Sequence, residues 1–556
     1  MPARDSQGGI PAAPLDLFEG EFIVKAIQGL MLAGASALAL AGCGPSDIAS
    51  PGTGGDVIIN NPAPTPTPTP TPTGPATVTA ASSCPTITAS TQLADAGVIS
   101  GPTGSYRVCN LPKVVDRSTS LPKVSGLVYQ LNGRVDVGCD GGFTAPTAAA
   151  PVTTSTVGCP TATLTADTNV TLTIAPGAIV IGAPGASWLA VNRGNKIDAT
   201  GTASQPIIFT SRDNVTGQVS DTSQGQWGGV VLMGRAPVTD CTAGTVASGN
   251  CERQTEGASD PARFGGNQAN YNAGTMKYVQ LRYSGFILSA NIELQALTGE
   301  GIGTGTTLDF IQTHNSSDDG SEWFGGSPQL KHYIAVGADD DSLDVDTGAQ
   351  MNVQYALLLQ RTGIGDALFE IDSNGNEADT PRTKLAVANF TAIQTAVSSN
   401  NEGNDQAGSL FRGNSDTTLV NGVYVTPANE CIRMNGSGAT PATLTARSVA
   451  LQCNATKFIG TGSYTAAQVT TQFGTGANNN TDAFTNTLAS LFINGANETG
   501  VIATDPKTVS SFFDTTTWIG AVRNSADTWY TGWTCNSATA NFGTGNSGNC
   551  TTLPVT

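Results

Sequence analysis

Apolar residues along this chain come in short runs punctuated by Gly, Asn, Asp and Pro, and a helical period is almost absent from the middle of it. The runs are Val170–Ile174, Ile179–Ile181, Ile207–Thr210, Val230–Met233, Tyr278–Tyr283, Leu308–Gln312, Leu330–Val336, Val353–Leu359 and Leu385–Ile393. Those starting at Leu308, Leu330 and Val353 are about 22 to 23 residues apart, which suits one coil of a stacked solenoid. Parallel strands joined by non-helical corners predict an all-β fold, a right-handed parallel β-helix over residues 164–455. Residues 84–163, with short β-type runs at Tyr106–Val108 and Gly126–Leu131, predict an N-terminal β region over the first coil. Residues 456–556 change character. Ala466–Phe473 and Asp482–Leu491 read as short helices, and Trp518, Trp529, Tyr530 and Trp533 gather near the end. That segment predicts a cap plugging the open end of the coil and hiding its edge strand. A carbohydrate-stacking platform is the alternative use of these rings.

Two of the strand-like stretches carry carboxylates at i,i+2, Asp344-Val345-Asp346 and Glu370-Ile371-Asp372. Each pair shares one strand face. Asp319 and Glu322 stand one spacing upstream, and Asp340 and Asp341 lie between. Neighbouring coils would stack these positions into a ladder. Four carboxylates on a ~4.8 by ~6.7 Å rectangle repel by roughly 16 kcal/mol at an effective dielectric of ~20. That upper bound matches the whole stability of a typical domain. Only Lys331 and Arg361 are basic between Asp318 and Asp379, against thirteen acidic residues. The ladder therefore needs a cation, shared protons or a basic partner. Calcium fits best, being hard and tolerant of irregular oxygen geometry. Its expected ligands are Asp319, Glu322, Asp340, Asp341, Asp344, Asp346, Glu370 and Asp372; the alternative is a solvated acidic face without a specific ion.

Charged residues make up 12% of the 556, with 66 Gly and a formal charge of −18. This suits a secreted β-rich protein and excludes a phosphate-tracking surface, so no nucleic-acid partner is expected. Near the N-terminus an apolar run from Ile27 is too short to span a bilayer but right for a signal sequence. It ends in Leu40-Ala41-Gly42-Cys43, which resembles the lipobox of bacterial lipoproteins. Residues 1–42 would then be a signal peptide (Val24 gives a more compact start), with acylation of Cys43. Gly44, by the same resemblance, implies anchoring in outer-membrane lipid. Residues 43–83 read as a stalk, where Pro64–Thr73 alternates Pro and Thr in polyproline II conformation. The other ten cysteines fall into sequence-neighbour pairs: Cys84 with Cys109, Cys139 with Cys159, Cys241 with Cys251, Cys431 with Cys453 and Cys535 with Cys550. In an oxidising compartment these predict five local disulfides.

Trp227-Gly228-Gly229, the run Asp319 to Gly326, the run Asp339 to Gly348, and Trp518-Ile519-Gly520-Ala521 followed by Trp529 and Gly532-Trp533 resemble exported bacterial β-helix lipoproteins. These share a pectate-lyase-like fold; most have no assigned activity, and some are encoded beside TonB-dependent receptors. The resemblance spans roughly residues 160 to 535, although Leu343 and Val345 stand where aromatic residues would be expected. It implies fold and location, not chemistry. His314 and His332 are the only histidines and no Gly-x-Ser-x-Gly occurs, so a hydrolase triad has little material. Asp344-x-Asp346-x-Gly348 is not an EF-hand, because Tyr355 holds the position where a bidentate Glu belongs. Three readings follow. The first is a lipid-anchored, calcium-stiffened protein that binds a ligand such as a glycan or assists a TonB-dependent receptor. The second is a calcium-dependent polysaccharide lyase or glycoside hydrolase, with Arg361, Arg382, Lys331 or Lys384 as the base. The third is a structural or adhesive surface protein. A loop around Asn374–Arg382 has the length to cover the ladder.

Overall fold

The protein is described here from a computed structural model, which covers residues 78–256, 260, 262–289, 292–373, 378–397, 407–436 and 440–555. Cys43, the signal segment and most of the stalk lie outside the described residues. So do residues 374–377 of the loop expected over the ladder. No helix among the described residues is long and apolar enough to cross a membrane.

Each full coil contributes one long and one short strand, and two parallel sheets result. The long-strand sheet runs Gly104–Asn110, Leu127–Leu131, Ile179–Gly182, Ile207–Ser211, Gly274–Arg282, Thr307–His314, Gln329–Val336, Gln350–Leu359, Thr383–Ile393, Ser415–Thr426 and Thr443–Cys453. The short-strand sheet includes Trp188–Val191, Gly229–Met233, Leu297–Glu300, Ser321–Phe324, Asp344–Asp346, Phe369–Ile371, Ser409–Phe411, Ile432–Asn435 and Phe458–Thr461. Hydrophobic positions stack in register, as in Leu308, Leu330, Val353, Val387 and Leu419. The parallel β-helix expected from the period is present.

The long strands bend once, at Tyr278, Phe310, His332, Tyr355, Asn389, Asn421 and Ser448, where φ is 53°, 55°, 49°, 62°, 53°, 55° and 56°. Pairing skips each of them, passing from Lys277↔Asp309 to Val279↔Ile311. Before the bend Gly274–Lys277 pairs with Ile197–Thr200; after it Val279–Leu281 pairs with Ile207–Phe209. One left-handed residue therefore gives the coil a third side. Inside, Tyr333, Leu358, Phe390 and Tyr424 meet Trp323, Val345, Phe369 and Ile371 from the short strands. Phe369, Phe390 and Tyr424 pack edge-to-face at 5.2 to 6.2 Å, a geometry that aromatic quadrupoles favour.

The parallel ladder starts earlier than the boundary at 164. Gly104–Asn110 already pairs parallel with Leu127–Leu131, and Val78 is buried and bridges Gly104. All five neighbour cysteine pairs are disulfides. Cys84 is joined to Cys109, which is fully buried on the first long strand, and Cys139 is joined to Cys159. Both bridges clip the N-terminal region, across 25 and 20 residues of sequence. The other three join Cys241 to Cys251, Cys431 to Cys453 and Cys535 to Cys550. Cys109 and Cys159 therefore serve as structural cross-links and take no part in the acidic ladder, which lies on later coils.

The C-terminal segment differs from the expected end cap. Only helix Ala466–Phe473 plugs the coil, burying Val469 and Phe473 in the core. Its capping box uses Thr465 and Gln468. Asp482–Leu491 is not helical. There Gln452 Oε1 takes the Asn486 amide and Glu498 takes the Thr487 amide, so side chains replace the intrahelical acceptors. The remainder is a strap running back along the outer face of the long-strand sheet. Asn421, Asn389, Gln312 and Asn214 hold it through the carbonyls of Thr504, Trp518, Cys535 and Cys550. The physical reason is the outward face of those strands, where Ile334, Val336, Leu357, Leu359, Val423 and Val425 need cover and receive it from Phe492, Ile519, Val522, Trp533 and Phe542.

Candidate metal centre

In Asp344-Val345-Asp346 and Glu370-Ile371-Asp372 the middle residue points into the core, and Val345 and Ile371 are fully buried. The carboxylates therefore face outward, as the alternation requires. Register places Glu322 beside Asp344, and Asp344 beside Glu370. At the preceding corner the aspartates stack differently, each carboxylate taking an amide of the next coil. Asp319 Oδ1 accepts from the Asp341 amide at 2.8 Å, and Asp341 Oδ1 from the Ala367 amide at 2.7 Å.

Corner and strand converge at Asp319. One oxygen each from Asp319, Glu322 and Asp344 lie within 4.8 Å of one another, and a second group of that span joins Asp318, Asp319 and Asp340. Two oxygens ligated at 2.3–2.6 Å to one calcium stand at most about 4.6–5.2 Å apart, so either triad fits one ion. Asp319 and Glu322 are buried, Asp344 is half-buried, and Asp340 is exposed. Burial first, then neighbouring carboxylates, hold Asp319, Glu322, Asp341 and Asp344 well above the usual carboxylate range. The buried Asp344 Oδ1 has no hydrogen-bond partner.

Not every expected ligand belongs to the triads. Glu370 and Asp372 pair with Arg412, to Asp372 at 2.9 Å. Asp346 Oδ1 accepts its own corner amide, from Thr347, at 2.5 Å. Among the described residues, no ion pair reaches Asp319, Glu322 or Asp344. Asp318 was missed by the sequence reading, although its adjacency to Asp319 was the available signal. Arg412 was missed because it lies one coil beyond the acidic run.

The bases considered for catalysis are elsewhere. Arg361 binds Gln224 Oε1 at 2.6 Å, Lys331 pairs with Asp514 at 2.8 Å, and Arg382 pairs with Asp416 at 3.1 Å. Lys384 is exposed at the start of a long strand, registered against Gln350. Next to the ladder, the loop closed by Cys241–Cys251 covers Trp188, Met233 and Phe324 on the same sheet face. Under it Glu300 accepts from Thr255 at 2.9 Å, and burial pushes its carboxyl up to about 8.

His332 sits at a strand bend with Nδ1 2.7 Å from Asp309. His314 is buried at a strand end, edge-on to Tyr283 at 5.4 Å, and neither ring nitrogen has a hydrogen-bond partner. Burial, helped by Arg282 and Arg361, pushes its imidazole down to about 3. Unfolded, it titrates near 6.5. Between these values the unfolded chain binds the extra proton, so stability is full above about 6.5 and falls with pH below it. At pH 5 the loss is about 2 kcal/mol. His314→Asn should flatten the acid limb of a denaturant-midpoint profile between pH 7 and 5 by about that amount. An unchanged slope would show that His314 is solvated.

A family model for the pectate-lyase like beta helix domain matches residues 157–534. No curated protein and no solved structure matches the chain.

Proposed function

We propose a binding function, not a catalytic one, for this chain, which belongs to the pectate-lyase-like β-helix family. Its solenoid holds calcium at Asp319, Glu322 and Asp344, with Asp318 and Asp340 offering a second set of oxygens. It serves as a lipid-anchored ligand-binding or accessory protein at the outer membrane, and a TonB-dependent receptor is a candidate partner. One observation carries the calcium reading: three carboxylates from two adjacent coils and their corner lie within 4.8 Å of one another, and no ion pair among the described residues reaches them. Cations are what such a sheltered cluster lacks.

Lyase or hydrolase chemistry has less support. Each base considered for it is engaged or placed elsewhere. The anchor rests on the Leu40-Ala41-Gly42-Cys43 pattern. Cys43→Ser should move the protein from the detergent to the aqueous phase.

Calorimetric titration of chelator-treated protein with calcium tests the centre. Saturable binding with a Kd between about 10⁻⁶ and 10⁻³ M is expected. Absence of heat and of any stabilisation at 10 mM calcium would sink the centre.

A further inference from the structure

We propose a second, separate binding site for a neutral saccharide, in the groove between the long-strand sheet and the strap. It goes beyond the calcium-stabilised binding role and does not depend on the ion. The groove holds about 480 Å³, and its lining includes His332, Tyr355, Trp518, Arg523, Asn524 and Trp529. That volume lies within the ~300–1,000 Å³ usual for small-molecule sites.

The aromatic column behind it is the first argument. Tyr278, Phe310, His332 and Tyr355 stack at 4.4, 4.1 and 4.8 Å along successive coils. All four are left-handed, a conformation costing bulky residues roughly 1–2 kcal/mol. Two of the next coils put Asn at this bend, Asn389 and Asn421, the residue that tolerates it best. Packing accounts for the first two rings, since Trp533 lies over Tyr278 at 6.2 Å and Phe310 at 5.9 Å. The next two meet the strap through Trp529, which lies against His332, and Asp514, which takes the Tyr355 hydroxyl at 3.4 Å. At their level the groove lies between sheet and strap, with Trp529 tilted 51° against His332 at 5.1 Å. The column thus runs into the groove, whose lining includes the half-buried rings of His332 and Tyr355 together with Trp518 and Trp529.

Charge selects the ligand. Lys331 neutralises Asp514 at 2.8 Å, and Arg523 stands over Trp518 at 5.2 Å with its own amide bound to Asp527 at 2.9 Å. Two acids face two bases, so neither a uronate nor an organic cation gains from entry, and Arg523 already uses one cation-accepting indole. What remains is ring surface bordered by carboxylate, guanidinium and amide. The C–H face of a sugar ring stacks on the former, and its vicinal hydroxyls bond to the latter.

The test titrates the full chain with cellohexaose, maltohexaose, xylohexaose and laminarihexaose, with hexagalacturonate as the charged control, reading tryptophan fluorescence and heat. At least one neutral hexasaccharide should bind with a Kd of about 0.1–1 mM. Trp518→Ala and Asn524→Ala should each weaken it at least 5-fold, with melting temperature recorded to show that both fold. Asp344→Asn should leave it unchanged, which separates this site from the calcium centre. No neutral binding at 10 mM, tighter binding of hexagalacturonate, or binding that survives both variants would each overturn the proposal.

Discussion

In chelator, Asp344→Asn melts above the wild type and Asp319→Asn/Asp344→Asn melts higher still; calcium raises the single variant less than the wild type and the double variant, which loses the carboxylate common to both triads, not at all. The first half follows from repulsion. A pair of ionised carboxylates within the triad's 4.8 Å limit repels by at least about 3.5 kcal/mol at an effective dielectric of 20. Protons shared within the cluster reduce that, which is what the raised pKa values of Asp319, Glu322 and Asp344 express. Asn removes the charge and keeps the shape. At position 319 its Oδ1 still accepts the Asp341 amide. The second half follows from linkage. Calcium at 100 times its Kd stabilises the folded state by about 2.7 kcal/mol, a rise of roughly 2.5–3 °C for a body of this size. Opposite signs in the two conditions are the diagnostic, because a merely damaging substitution lowers both. A variant that melts below wild type in chelator would show that shared protons, not repulsion, govern the apo ladder. A wild type that ignores calcium would remove the ion.

Much of this arrangement was legible because strand geometry is simple. Val345 and Ile371 alternate with carboxylates, and alternation alone sends one set inward and the other outward. The long strands declared themselves through the recurring starts at Leu308, Leu330 and Val353. Other parts were hidden for physical reasons. The short strands Leu297–Glu300 and Ser321–Phe324 carry four residues each, too few for any period to stand out. Arg412 is a neighbour of Glu370 only because Phe369–Ile371 registers against Ser409–Phe411, and sequence spacing does not reveal register. The role of the last hundred residues was mistaken although a clue existed. Ile334, Val336, Leu357 and Leu359 point outward yet are as apolar as the inward residues beside them. A strand apolar on both faces demands cover on both, and an end cap cannot supply it.

Trp533→Ala should therefore be among the most damaging single changes, costing about 3–5 kcal/mol. The indole is fully buried, and its Nε1 donates to the Trp529 carbonyl at 2.9 Å. Its own carbonyl accepts from the buried Gln280 amide. Truncation leaves a void against Tyr278 and Phe310 and withdraws the packing that holds those rings in left-handed backbone. Solenoid coils contact mainly their neighbours, so the damage should spread along the strap more than across the coil. Hydrogen exchange should report faster opening over 504–553, while the amides of Val345 and Ile371 keep their protection. Calcium should still raise the melting temperature, since the triad lies on the other sheet. The strap's carbonyls are held by Asn389, Gln312 and Asn214 on separate coils, so loss at one point leaves anchors at the others. Partial release with a surviving calcium response is the expected result. Uniform loss of protection across both sheets would instead make strap and coil one cooperative unit, and unchanged protection would make Trp533 peripheral.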